Sequence, residues 1–124
     1  MVTRQDLVAR IQQIVLTITL PEPRIAGTMP SWRYYGLIPV RKKDRGYFAG
    51  FRIPVIFRTD IGDIETEGTS ADNGIPIGDR TRWKYFARGL RPWYVVHPEI
   101  VPGDKVRFEM IDPYRIYRAR FIHI

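Results

Sequence analysis

The chain has 124 residues, 20 lysines and arginines against 13 aspartates and glutamates, a formal charge of +7 and no cysteine. That length suits one domain with a modest core, and without cysteine neither a disulfide framework nor a thiolate metal site is available. The longest apolar run near the start, residues 14–20, is short and broken by threonines, so it reads as neither a membrane span nor a signal sequence, and a cytoplasmic protein is the expectation.

So much positive charge on a small chain points to a polyanionic partner, with nucleic acid ahead of an anionic membrane. In chain order, Thr3-Arg4-Gln5-Asp6 sets a capping hydroxyl before an acidic first turn. Leu7, Ile11, Ile14 and Ile18 then share one face of the N-terminal helix this predicts. The β-branched residues from Val15 onward leave open a second reading, in which the helix ends early and residues 15–20 are a strand. Pro21 and Pro23 stop either one.

Residues 21–33 form a connector rich in proline, glycine and serine. Residues 32–40 read as a strand, 41–46 as a charged turn and 47–57 as a second strand, which predicts a hairpin with a basic tip at Arg41, Lys42, Lys43 and Arg45. Pro39 and Pro54 cannot donate to a ladder and are expected at an edge or a bulge. Between residues 59 and 79 the acidic residues gather beside glycines. Residues 61–66 read as a short strand, and the rest as a long exposed loop with a turn at Asn73-Gly74.

Residues 80–94 hold Arg80, Arg82, Lys84, Arg88 and Arg91 with no acidic residue, interleaved with Trp83, Tyr85, Phe86, Trp93 and Tyr94. Arginine can grip phosphate or guanine and flat rings can stack on bases, which makes this the candidate binding segment. If it is extended, Arg80 and Arg82 share a face. Trp93 is assigned to the core. For Trp83 and Tyr85, core packing and nucleic-acid contact both stay open. In Ile100-Val101-Pro102-Gly103-Asp104, an apolar anchor leads into a tight turn. The strand that follows turns Val106, Phe108 and Met110 inward. Residues 114–122 alternate again, with Tyr117, Ala119 and Phe121 on one parity and Ile116, Arg118 and Arg120 on the other. About seven short strands and one helix make a mainly β barrel or sandwich.

The pair Trp93-Tyr94, the anchor Ile100, the turn Pro102-Gly103-Asp104 and the strand motif Val106-x-Phe108 together resemble the ending of B3-type DNA-binding domains. These are the pseudobarrels of plant transcription factors and of the effector domains of some bacterial restriction endonucleases. Members grip the major groove with two arms, an early one at an Ile-Pro dipeptide followed by basic residues and a later one rich in Arg, Trp and Tyr. Here the later arm would be residues 80–85. The early arm would be Leu37-Ile38-Pro39-Val40-Arg41-Lys42-Lys43 or, alternatively, Arg52-Ile53-Pro54-Val55. Two departures stand out: Leu90-Arg91-Pro92-Trp93 replaces the usual Gly-Trp, and no helix is evident after the early arm.

The resemblance implies a B3-like pseudobarrel that binds double-stranded DNA sequence-specifically as the recognition module of a restriction endonuclease. The DNA-binding residues would be Arg33, Arg41, Lys42, Lys43, Arg45, Arg52, Arg80, Arg82, Trp83, Lys84, Tyr85 and Arg88. The module itself would be non-catalytic and need no cofactor, with a nuclease domain C-terminal to Ile124.

Two other readings are weaker. Asp63, Glu65 and Glu67 share a strand face, and hard oxygen ligands suit Mg²⁺. The lysine that a restriction-type nuclease would place two residues beyond a carboxylate is missing, so the acidic stretch reads as a solvated loop and a metal-dependent nuclease as the minor alternative. His97 and His123 are too isolated for metal or proton-transfer chemistry. An RNA-binding β-barrel is the alternative within the binding class.

Overall fold

A computed structural model describes residues 14–124. In chain order its strands are β1 (Val15–Thr19), β2 (Ile38–Pro39), β3 (Val55–Thr59), β4 (Gly62–Thr66), β5 (Gly68–Thr69), β6 (Tyr85–Phe86), β7 (Lys105–Asp112) and β8 (Ile116–Ile122). Two short helices, α1 (Ser31–Tyr35) and α2 (Arg91–Val95), and a 3-10 turn at Lys42–Tyr47 complete the described elements. The chain is mainly β. The strands form a five-stranded sheet in the order β1-β7-β8-β3-β4 and a three-stranded sheet in the order β2-β6-β5. They meet at a corner, because β4 passes into β5 across Glu67 and Phe51 bridges to Gly68.

The C-terminal third folds as its alternation predicts. Ile100 is buried, Gly103 takes a positive φ of 95°, and the Asp104 carboxylate accepts the Val101 N–H at 2.9 Å, closing the turn. From that turn β7 runs antiparallel to both β1 and β8, with Val106 and Phe108 facing the core and Met110 packed beside them. On β8, Tyr117 and Ala119 point inward and Arg118 and Arg120 outward, as their parity requires. Between residues 15 and 20 the strand reading holds. The helix expected from Thr3 falls outside the described residues.

The core between the sheets is aromatic. Phe48, with no exposed surface, lies within 5.1 Å, centroid to centroid, of the rings of Tyr47, Phe86, Phe108 and Tyr117. Such pairs add about 0.5–1.5 kcal/mol each beyond the area they bury. At one end of the molecule Trp93 stacks on Phe121 at 3.9 Å and donates its indole N–H to Asp60, fulfilling its assignment to the core.

Three predicted elements are corrected. Residues 32–40 are not one strand, because α1 occupies residues 31–35. Pro30 precedes α1 and Gly36 ends it in the left-handed region at φ 73°, while the buried Trp32 is held by a 2.8 Å bond from its indole N–H to the Pro21 carbonyl. Residues 47–57 are not one strand either. Phe48, Ala49 and Phe51 are buried in an irregular segment, Arg52 sits at φ 56°, and β3 begins only at Val55. The hairpin therefore does not form. β2 pairs with β6, and β3 pairs antiparallel with β4 and parallel with β8. Pro39 does lie on an edge strand, where a missing N–H costs no ladder bond.

Candidate nucleic-acid interface

The two basic segments, far apart in sequence, lie side by side. The Val40 N–H donates to the Lys84 carbonyl at 2.9 Å, extending the β2–β6 pairing past its last ladder residue. The Arg45 guanidinium reaches both sides, donating to the Val40 carbonyl at 3.1 Å and to the Thr81 carbonyl at 2.6 Å. From the later segment, Arg80 donates back to the Gly46 carbonyl at 2.6 Å, and its guanidinium lies 4.6 Å from the centre of the Tyr114 ring. Two arginines thus act as cross-braces, Arg45 through two backbone oxygens and Arg80 through one.

That bracing leaves Arg41, Lys42 and Lys43 exposed on the 3-10 turn. Across from them, Arg82 and Lys84 are exposed but paired. The Asp79 carboxylate accepts the N–H groups of Thr81 and Arg82, at 2.9 and 3.1 Å, and the Arg82 side chain at 2.7 Å. Those bonds, the Thr81 N–H foremost and then the Arg82 guanidinium, hold its carboxyl well below the usual range. Lys84 pairs with Asp72 at 3.0 Å, and the lysine likewise draws the Asp72 carboxyl down. Arg80 and Arg82 do not share a strand face. Asp79 starts a side-chain-capped turn that sends the two guanidinia to different partners, and regular pairing resumes only at Tyr85.

The remaining predicted residues separate. Trp83 is fully enclosed, with its ring against Phe48 and Phe86, so its aromatic surface is core rather than stacking platform. Tyr85 is half-buried in β6 between Pro39 and Thr69. Arg33 is tied to α2 and the segment after it, donating to the carbonyls of Tyr94, His97 and Ile100. Arg52 and Arg88 are exposed, Arg52 lying 5.3 Å from the Phe51 ring centre. Of the two Ile-Pro segments, the one from Pro39 to Lys43 lies beside residues 80–84, while in the other the Arg52 N–H donates to the Gly68 carbonyl at 2.9 Å.

Three features escaped the sequence reading: the counter-ions Asp72 and Asp79, the position of β1 at the end of its sheet among the described residues, and the pairing of Arg107 opposite Arg120 on β7 and β8. Only the Asp79 turn carried a local signal, an Asp ahead of the run Arg-Thr-Arg. The chain matches no family model, no curated protein and no solved structure. Among the described residues no cluster of three or more His, Asp or Glu side chains is placed to hold a metal ion, and Asp63 lies 3.9 Å from Arg58 on the neighbouring strand. No helix among them is long and apolar enough to cross a membrane.

Proposed function

We propose that this chain is a B3-like pseudobarrel that binds double-stranded DNA sequence-specifically, as the non-catalytic recognition module of a cytoplasmic restriction endonuclease whose nuclease domain lies elsewhere in the protein. The observation that carries the reading is the stapling of residues 41–45 to residues 80–84 by Arg45 and Arg80. The stapled segments, a 3-10 turn that follows β2 and a side-chain-capped turn that precedes β6, present Arg41, Lys42, Lys43, Arg82 and Lys84 together to the phosphates and base edges of a major groove. Lysines serve as phosphate contacts. Arg82 and Arg41, with planar two-donor ends, serve base readout, where a good bidentate pair on guanine discriminates by about 1–3 kcal/mol. Asp79 orients the Arg82 fork much as a fixed partner keeps any long side chain from losing rotamer freedom on binding.

The deciding experiment is selection from a random duplex pool at about 0.15 M salt, where binding by charge alone is already weakened. Enrichment of one short motif is expected. In follow-up binding, Arg82→Ala should relax the preference at one or two positions, while Lys43→Ala should weaken every duplex alike and lower the salt slope by about 0.9. Flat recovery, or tighter binding of single strands than of duplex, would overturn the reading.

A further inference from the structure

Among the described residues the two sheets do not close on each other. β1 ends the five-stranded sheet and β2 ends the three-stranded one, and a cleft of about 150 Å³ runs between them, walled by Thr17 and Thr19 on one side and Pro39, Arg41, Lys43 and Asp44 on the other. The hydrogen-bond parity of β1 fixes what its edge offers. The Ile14 carbonyl accepts the Met110 N–H, and the Leu20 N–H donates to the Asp104 carbonyl, so the even-numbered residues of β1 make the ladder to β7. Thr17 and Thr19 therefore direct their N–H and C=O groups away from β7, into the cleft. Pro39 has no N–H with which to answer them, so strand pairing across the gap is blocked from the β2 side.

Resting on the DNA-binding reading, we propose that this seam is a phosphate site and takes a phosphodiester of the bound duplex. Outward backbone N–H groups beside an arginine and a lysine are the donor set that phosphate oxygens meet in proteins. The cleft has room for a phosphate group with a few waters. Behind Thr17 and Thr19, their cross-strand neighbours Arg107 and Lys105 on β7 add positive potential from the sheet's outer face. Among the described residues, Asp44 is the one opposing charge on the wall. The seam also continues the early arm, since Arg41 and Lys43 belong to both, so a phosphate held there anchors the stapled segments along the backbone without reading sequence.

The test is amide NMR of the full chain, titrated with inorganic phosphate against chloride at matched ionic strength, paired with duplex binding. Phosphate should shift the Thr17 and Thr19 amides where chloride does not. Asp44→Asn should tighten phosphate and Lys43→Ala weaken it, each by roughly fivefold. Thr19→Pro deletes an outward N–H at an edge position, so it should weaken phosphate while leaving the melting temperature near that of the parent chain. Unmoved Thr17 and Thr19 amides, or Asp44→Asn without effect, would overturn the seam. Were duplex binding to persist undiminished in Thr19→Pro while Lys43→Ala still weakened it, the seam would fall and the DNA reading stand. Phosphate bound at these amides with no affinity for any duplex would remove the DNA reading and leave a site for free phosphate.

Discussion

His97 has both ring nitrogens in use. Nε2 lies 2.6 Å from the Asp60 carboxylate and Nδ1 2.9 Å from that of Glu99, while Asp60 also accepts the indole N–H of Trp93. A neutral imidazole carries one N–H and can serve only one of two carboxylates, so the geometry belongs to the imidazolium. Desolvation pulls its pKa down, but the bonds and charges of Glu99 and Asp60 outweigh that and hold it above the ordinary value of 6.5. For Asp60, burial works in the raising direction and is outweighed by the bonds from Trp93 and His97, so its pKa lies below 3.8. The signs are opposite. The His97 contribution is complete below 6.5 and fades as pH rises through its raised folded pKa, and the Asp60 contribution is complete above 3.8 and fades as pH falls through its lowered one. The clasp from the β3–β4 turn to the segment after α2 is thus strongest between those two values. Urea unfolding across that window and on to pH 9 should show stability falling on the alkaline side with a slope of at most one proton. In His97→Gln that slope should disappear; an unchanged slope would assign it to another group.

At the scale of elements, the segment 48–51 reaches its place only because Gly50 is bare. A Cβ there would stand 2.2 Å from the Gly78 carbonyl oxygen, backbone against backbone, with no flexible side chain to yield. Phe51 exchanges hydrogen bonds with this same loop, at Gly78 and Asp79. Gly50→Ala should cost about 1–3 kcal/mol as an overpacking substitution, whereas Gly46→Ala, with open space around it, should leave the urea midpoint almost unchanged. Equal midpoints for the two would contradict the close approach. The same segment shows where the sequence is silent. Residues 100–110 and 116–121 were legible because turn chemistry and period-two alternation agree there with the tertiary partners. Residues 31–40 and 47–54 were not, because aromatic and β-branched residues raise strand propensity while what decides is non-local: Trp32 burying against Pro21, and Val40 bonding to Lys84 rather than to the next segment. Pro30 before α1 and Gly36 after it, with Pro92 in the first turn of α2, were the local hints of two short helices. Of the candidate site, the residue types and the two segments could be read from sequence. That Trp83 is core, that Arg33 and Arg45 serve carbonyls, and that Asp72 pairs with Lys84 depend on contacts across the chain, whereas the Asp79 turn was a local feature left unread.

For the whole molecule, a formal charge of +7 overstates what the two stapled segments present, because Asp72 and Asp79 hold Lys84 and Arg82 in exposed ion pairs. Such pairs contribute little to folding, since solvent screens them and two long side chains must be held still. Their larger effect is on any polyanion, which must compete with a carboxylate for each cation. Of the two, Asp72 can be neutralised without touching the turn, because its side chain reaches Lys84 and Ser70 while Asp79 also holds two backbone N–H groups. Asp72→Asn should therefore leave the melting temperature within a degree or two, raise duplex affinity, and steepen the dependence of log K on log salt by about 0.9 as Lys84 becomes available to displace one more counter-ion. Lys84→Ala should abolish that gain in the double variant, since the two residues act through one contact. If Asp72→Asn binds duplex no better than the parent chain while Lys43→Ala still weakens it, Lys84 lies off the DNA path, and the later arm docks through Arg82 alone.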